Sequence, residues 1–177
     1  MLWRFAAAAA ALVACIAQAQ REAPEASVKA AFLYKFAHYI EWPANAFASA
    51  SAPLVIGVAG SDEVASELER IVPGRNVNGH PVTVKRLREG ESARGLHYLF
   101  IGRDHPALAA MLRAAREQSV LAITENDRGL EMGSTINFVT AGDRVAFEVS
   151  LDAAEKSGHR ISSRMLSVAR RVVPKTS

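Results

Sequence analysis

The sequence predicts an α/β fold: a single compact domain with a mostly parallel central sheet flanked by helices, and a C-terminal antiparallel hairpin. Three observations support this prediction. The 177 residues, 50% of them hydrophobic, are enough for one well-filled core and too few for two domains. Short apolar runs between residues 53 and 124 alternate with helical patterns, as in a parallel sheet covered by helices. After residue 127 the pattern changes to two alternating strands joined by a turn signal.

The first residues predict export. The stretch "MLWRFAAAAAALVACIAQAQ" combines one early arginine, an apolar segment and a small-x-small end at Ala17 to Ala19. These features are typical of a signal peptide, which we assign to residues 1–19. Lipidation at Cys15 is an alternative, which we disfavour because Cys15 lies early for such a leader. Residues 20–26 form a polar lead-in, residues 27–172 the α/β domain and residues 173–177 a C-terminal tail, and we expect the domain to work outside the cytoplasm.

Composition excludes several classes of protein. Cys15 is the only cysteine, so a domain cleaved after Ala19 has no disulfide, thiolate nucleophile or cysteine-ligated metal. Lys and Arg number 21 against 18 Asp and Glu, without a basic run. We therefore expect no nucleic acid partner.

The first periodic segment, "SVKAAFLYKFAHYIEWP", predicts a helix over residues 27–41. Ser27 is its expected N-cap, and Pro43 forces Trp42 out of helical geometry. One wide apolar stripe is expected to face the sheet, and it consists of Val28, Phe32, Leu33, Phe36, Tyr39 and Ile40.

The middle of the chain predicts alternating elements. "PLVIGVAG" is a strand buried on both faces, and Ser61 caps a helix over "DEVASELERIV". "NVNGHPVTVKRL" contains an Asn-Gly turn followed by a strand with one exposed side. "LHYLFIG" and "SVLAIT" are further strands, separated by the helix "HPALAAMLRAAREQ".

The C-terminal third predicts a hairpin and a helix. "STINFVTAGDRVAFEVSL" reads as two strands joined at Ala141-Gly142-Asp143, which we place at the edge of the sheet. Its inward residues are Ile136, Phe138, Val145, Phe147 and Val149. "ISSRMLSVARRVV" is expected to be an amphipathic helix, capped by Ser162 or Ser163.

The sequence offers no catalytic constellation, and we predict neither an enzyme nor a cofactor. The five histidines stand at 38, 80, 97, 105 and 159, without the spacing of a metal site. Gly60 and Ser61 lie between a strand and a helix, where amides can hold an anion, but the lysine of a P-loop is missing. No Gly-x-Ser-x-Gly elbow is present, and a pairing of Glu148 with Arg160 or Arg164 would be structural.

Three polar or aromatic residues fall outside the buried stripe of the first helix. Tyr34 and His38 lie on another face, and Trp42 follows the expected helix end. One explanation is packing beneath a neighbouring loop or the last helix. The other is an exposed aromatic patch for protein contact, where Tyr and Trp bind at low entropic cost.

Several stretches together resemble the YfiR family of periplasmic proteins. They are "VKAAFLYKFAHYIEWP", "LVIGVAG", "GRNVNGHPVTVKRL", "LHYLFIG" and "GSTINFVTAGDRVAFEVSLDAAEKSGHRISSRMLSVAR", in this order over roughly residues 27 to 170. The resemblance implies a compact α/β domain that represses a membrane-bound diguanylate cyclase by holding its periplasmic sensor region. Repression would lower cyclic di-GMP signalling and biofilm formation, and envelope stress would release it. Some members carry cysteine pairs, which the domain after Ala19 lacks, so a competing partner protein would have to transmit the stress.

The resemblance provides no universal ligand motif, so the contact residues are hypotheses from this sequence alone. Tyr34, His38, Trp42 and Pro43 are the expected apolar anchors, and Arg160 and Arg164 the charged contacts. Two other functions stay open: a small-ligand-binding module using Gly60 and Ser61, or a regulator of another membrane sensor such as a histidine kinase. A hydrolase whose groups converge only in three dimensions is a weaker option. The sequence also leaves homodimerisation open.

Overall fold

The computed structural model describes residues 24–43 and 45–175 of the chain. The expected signal peptide and Cys15 lie outside these residues. The helices are α1 (Glu25–Phe36), α2 (Asp62–Ile71), α3 (Leu108–Glu117), α4 (Leu151–Lys156) and α5 (Ser163–Leu166). The strands are β1 (Ile40–Glu41), β2 (Leu54–Ala59), β3 (Asn76–Val77), β4 (His80–Leu87), β5 (Tyr98–Ile101), β6 (Leu121–Thr124), β7 (Ile136–Ala141), β8 (Arg144–Ser150), β9 (Arg160–Ile161) and β10 (Arg171–Val173).

The predicted α/β fold with a mostly parallel sheet is confirmed. Eight strands form one sheet in the order β10-β8-β7-β6-β5-β2-β4-β3. Strand β2 runs parallel to both neighbours, β5 is parallel to β6, and β6 is parallel to β7. The predicted hairpin is β7 and β8, which pair antiparallel from Ile136↔Val149 to Ala141↔Arg144. No helix of the described residues has the length and apolar character needed to cross a membrane.

The sheet separates two apolar clusters. The larger one lies beneath α1 and α2 and includes Leu33, Phe36, Phe100 and Phe147. The smaller one lies beneath α3 and includes Leu99 and Leu112. Side chains from β5 alternate between the two clusters, because successive residues of a strand point to opposite faces. This explains why the "YLFI" stretch is buried throughout.

The first helix is shorter than predicted and begins earlier. Pro24 is the N-cap, and the Ser27 hydroxyl instead donates a hydrogen bond to Glu67 at 2.8 Å. The helix ends at Phe36 because the chain then enters β1, which pairs antiparallel with β9. Tyr39, expected in the buried stripe, is 38% exposed as a result.

A buried hydroxyl completes the last turn of α1. The side chain of Tyr98 is fully buried, and its hydroxyl donates to the Leu33 carbonyl at 2.6 Å. Leu33 is among the last four residues of the helix, whose carbonyls have no partner within it. Strand β5 therefore positions the end of α1 and the segment that follows.

The predicted C-terminal helix is wrong over most of its length. Only Ser163–Leu166 is helical, with the Ser162 hydroxyl accepting from the Met165 amide at 3.4 Å. The stretch "RVV" is instead β10, which runs parallel to β8. Val173, which is expected in the tail, lies in this strand. The hairpin is consequently not at the sheet edge, because β10 covers it.

Candidate partner-binding surface

A groove of about 430 Å³ lies where the end of α1, strand β1, the start of β4 and the residues after β9 meet. We call it the β1 groove. It is lined by His38, Tyr39, Ile40, Glu41, Trp42, Pro43, Phe47, Asn78, His80 and Ser162. Three of the six predicted contact residues, His38, Trp42 and Pro43, therefore share one surface feature.

The floor of this groove is formed by Trp42, Phe47 and His80, with His97 and His159 packed against them from outside the lining. The Phe47 ring stacks between two imidazoles, with centroid distances of 3.6 Å to His80 and 4.3 Å to His97. Trp42 stacks on Tyr98 at 5.9 Å and meets His159 edge-on at 5.3 Å. We call Trp42, Phe47, His80, His97 and His159 the aromatic–histidine cluster. Such packing holds the segment after β1 against the sheet.

The position of Trp42 combines the two explanations offered by the sequence. Its ring packs against the core and is partly exposed. Its indole Nε1 is buried and has no hydrogen-bond partner among the described residues. A buried donor without an acceptor is costly, so the surrounding apolar contacts must hold the ring in place.

His97 lies at the centre of the cluster. Its Nδ1 accepts a hydrogen bond from the Val55 amide at 3.0 Å, and its own amide donates to the Val55 carbonyl at 3.0 Å. Burial lowers the pKa of His97, an effect opposed by the Ala46 carbonyl and reinforced by His80. This residue therefore joins the starts of β2 and β5 as a neutral imidazole.

His159 is 3% exposed and directly precedes β9. Its Nδ1 lies 3.0 Å from the Ser157 hydroxyl. Burial, with a smaller contribution from His97, lowers its pKa to about 4. The imidazole is consequently uncharged at neutral pH and packs as an aromatic side chain beneath Trp42.

The rim of the groove carries charge. Arg160 faces Glu41 across the β1–β9 pair, with Nε 3.6 Å from the carboxylate, and both side chains are mostly exposed. Arg164 is exposed on α5.

Tyr34 lies partly buried on α1, with His38 edge-on at 5.1 Å and the Arg75 guanidinium 5.3 Å from its ring centre. The structure thus places Tyr34 and His38 together and covers part of Tyr34 with a cation.

The sequence pattern did not predict the roles of four residues at this surface, Phe47, His80, His97 and His159. One signal could have suggested two of them: His80 begins β4 and His97 directly precedes β5. Both strands run parallel to β2, so their starts lie at the same edge of the sheet. The positions of Phe47 and His159 depend on tertiary packing alone.

The second predicted site lies at the opposite, carboxyl edge of the sheet. Gly60 has φ of +68°, and a Cβ there would lie 2.6 Å from the His105 ring. A Cβ on Gly102 would lie 2.4 Å from the Gly60 carbonyl oxygen. Ser61 precedes α2 without a side-chain cap bond. The two loops after β2 and β5 are thus packed directly against each other.

A buried ion network lies at the same carboxyl edge, beside β6. Glu125 accepts from Lys29 at 2.6 Å and from the Arg103 guanidinium at 2.6 Å. Lys29 also pairs with Glu25 at 2.5 Å, which lowers the pKa of Glu25. These bonds fasten α1 to the end of the sheet. Among residues 24–43 and 45–175, no group of three or more His, Cys, Asp or Glu could hold a metal ion.

A family model described as YfiR/HmsC-like matches residues 26–170. The match runs from the first turn of α1 to the residue before β10, and so includes the groove, the cluster and all of the ion network except Glu25. The chain belongs to the YfiR/HmsC-like family, a regulatory family of periplasmic proteins that act in diguanylate cyclase signalling.

Proposed function

We propose that this protein is a periplasmic repressor that binds the periplasmic sensor region of a membrane-bound diguanylate cyclase and lowers cyclic di-GMP. The observation that carries the proposal is the family match over residues 26–170. The proposed contact surface comprises the β1 groove and its rim, with Tyr34, His38, Trp42, Pro43, Arg160 and Arg164. A second protein that releases the repressor under envelope stress would compete for the same surface.

The exposed groups on this surface suit protein contact. Tyr39 is one of two large hydrophobic side chains that stand exposed in the described residues, and it lines the groove beside His38. Tyrosine provides a large contact area at low entropic cost. The proposed surface therefore offers an accessible anchor as well as the more deeply packed Trp42.

The rim charges are available to a partner. The Arg160 side chain is 86% exposed and Glu41 67% exposed, so their mutual ion pair contributes little to folding. A carboxylate on a partner could replace Glu41 at low cost. Arg160 and Arg164 would then favour a sensor region with acidic residues at the contact.

Cyclic di-GMP measurements test this function in the parent bacterium. The gene would be deleted and then restored as the wild type, as the double variant His38→Ala/Arg160→Glu, or as Arg113→Glu. Arg113 is a matched control because it is exposed on α3, which covers the opposite face of the sheet. We expect deletion to raise cyclic di-GMP, and the wild type and Arg113→Glu to lower it again, whereas the double variant should fail.

Binding of the purified protein to the cyclase sensor region tests the proposed contact residues separately from the proposed repressor function. We expect the double variant to lose about tenfold or more in affinity while its unfolding curve stays unchanged. Full repression by a folded double variant would place the contact elsewhere. The deletion must be tested under conditions in which the wild-type strain expresses the protein. If deletion then left the cyclic di-GMP level unchanged, this would argue against a cyclase target and favour another sensor, such as a histidine kinase.

A further inference from the structure

Three histidines of the aromatic–histidine cluster each have Nδ1 within hydrogen-bond distance of a neighbouring group, but the neighbouring groups differ. Nδ1 of His80 lies 2.7 Å from the Ala52 carbonyl and can donate to it. Nδ1 of His159 faces the Ser157 hydroxyl, which can donate or accept. Nδ1 of His97 faces the Val55 amide, which can only donate. His97 must therefore be neutral in this arrangement, with its proton on Nε2.

Protonation of His97 is incompatible with this bond. A proton on Nδ1 would point at the amide proton of Val55 across 3.0 Å, so the hydrogen bond must break. Val55 is the second residue of β2, and residues 45–53 lead into it. We call these residues the Phe47 loop. Phe47 stacks on the His97 ring, so a movement of this ring changes the contacts of the loop.

The groups around His97 offer little to stabilise a cation. Trp42 and Phe47 contact the ring, the Ala46 carbonyl raises the pKa of His97, and His80 lowers it. Its Nε2 is buried without a hydrogen bond of ordinary geometry. The other titratable neighbours of the cluster are His159, beneath Trp42, and Tyr98.

The charged side chains near the His97 ring lie at the rim of the β1 groove. Glu41 lines the groove and pairs with Arg160, and His38 lines it from the end of α1. Among the described residues, no histidine lies within 4.0 Å of a carboxylate oxygen in an ion pair. A charged His97 imidazole would thus be desolvated without a counter-charge.

We propose that His97 is an acid-sensitive latch: its neutral form holds the Phe47 loop and Trp42 in place in the β1 groove, and its protonation releases them and reshapes the groove. In the released state the imidazole is hydrated and binds a proton at its ordinary pKa. Acidification therefore favours release, because the released state takes up protons that the closed state resists. Burial lowers the pKa of His97 and that of His159, which acts in the same direction.

NMR of the purified protein tests the latch without any partner, so its failure is separate from a failure of the proposed function. Imidazole nitrogen shifts at about pH 7.5 report the tautomer of His97, and a titration to about pH 4.5 follows its protonation. The amide of Val55 and the indole Nε1–H of Trp42 are followed in the same samples. We expect His97 to carry its proton on Nε2 at about pH 7.5. On acidification, the signals of the His97 imidazole, the Val55 amide and the Trp42 indole should change with one shared midpoint below pH 6.5, while the amides of β5 and β6 keep their native shifts.

Two variants identify the residue responsible. His97→Asn places an acceptor that does not titrate near the position of Nδ1, and it should abolish the shared transition of Val55 and Trp42. His38→Asn removes an exposed histidine of the same groove and should leave the transition unchanged. Persistence of the transition in His97→Asn would overturn the proposal.

Measurements on the wild type decide the matter even if His97→Asn does not fold. A proton on Nδ1 of His97 at about pH 7.5 would overturn the latch, since the Val55 bond could not then exist. Separate midpoints for His97, Val55 and Trp42 would also overturn it, as would a midpoint that coincides with global unfolding. The expected tautomer with a shared midpoint in a folded sheet would support it.

Discussion

The buried ion network gives the sharpest prediction for stability. Glu125→Gln removes the charge that faces Lys29, whose side chain is only 8% exposed. Breaking a buried ion pair by removing one partner costs about 3–5 kcal/mol. Lys29 keeps Glu25, whose side chain is 57% exposed, and Arg103 is itself 52% exposed. We therefore expect a loss near the lower end, about 3 kcal/mol in the free energy of unfolding.

The double variant Lys29→Met/Glu125→Gln tests whether the unpaired ammonium of Lys29 causes the loss of stability. Methionine retains the apolar stem of Lys29 and removes the ammonium that Glu125→Gln leaves without its buried partner. Replacing a buried ion pair by groups of similar volume is often nearly neutral. We therefore expect the double variant to be more stable than Glu125→Gln alone, by about 1–2 kcal/mol.

Urea unfolding at neutral pH, followed by circular dichroism, measures these differences. Glu131→Gln is the matched control, because Glu131 pairs with Arg128 at 3.1 Å and both side chains are at least 70% exposed. Its effect should stay within about 0.5 kcal/mol. If Lys29→Met destabilised Glu125→Gln further, the buried ammonium would not be the source of the cost, and the reasoning would be refuted.

Three further predictions concern other parts of the fold. The pKa of His159 falls from 6.5 to about 4 on folding, so the unfolded state binds protons more readily, and the free energy of unfolding should fall by up to about 3 kcal/mol as the pH drops through this range. The variant His159→Gln should flatten this part of a plot of urea midpoint against pH. Gly129→Ala would place a Cβ 2.2 Å from the Thr124 hydroxyl and should cost about 1–3 kcal/mol, whereas Gly74→Ala, which meets no neighbour, shows only the strain of its positive φ. Tyr98→Phe leaves the Leu33 carbonyl without its donor and should cost about 1–2 kcal/mol by urea unfolding, an expectation that wild-type stability in this variant would contradict.

Local patterns predicted most of the sheet. Strand β2 could be predicted because an uninterrupted apolar run suits a strand buried on both faces. The turn before β4 could be predicted because Asn78 and Gly79 accept positive φ, and they have φ of 52° and 92°. In each case the decisive interaction lies within a few residues of the chain.

The wrong predictions involve partners far along the chain. The first helix ends early because Ile40 pairs with Ile161, and no local signal marks that pairing. The C-terminal stretch has a helical pattern, yet Val172 pairs with Val149 and extends the sheet beyond β8. Two consecutive β-branched residues were a local hint of this strand. The pairing with β8 therefore determines the structure of this stretch, although its apolar residues also have the spacing of an amphipathic helix.

The candidate surface was predictable only in part for the same reason. Tyr34, His38 and Trp42 could be found because they fall outside the buried stripe of one helix. Whether Trp42 is buried or exposed depends on His97 and His159, which arrive from other elements. A sequence pattern can therefore identify the residues at such a surface without showing how deeply each one is packed.

The two edges of the sheet differ in what they leave accessible. Small ligands of open α/β sheets usually bind at the carboxyl ends of the strands, where the direction of strand order reverses. Here the order reverses between β2 and β5, and there Gly102 packs on the Gly60 carbonyl while His105 covers Gly60. The amino edge instead carries the β1 groove, with exposed Tyr39 and a floor that rests on a neutral His97. This distribution is consistent with the proposed protein contact at the amino edge, and His97, which we propose to be acid-sensitive, packs against Trp42 and Phe47 of that groove.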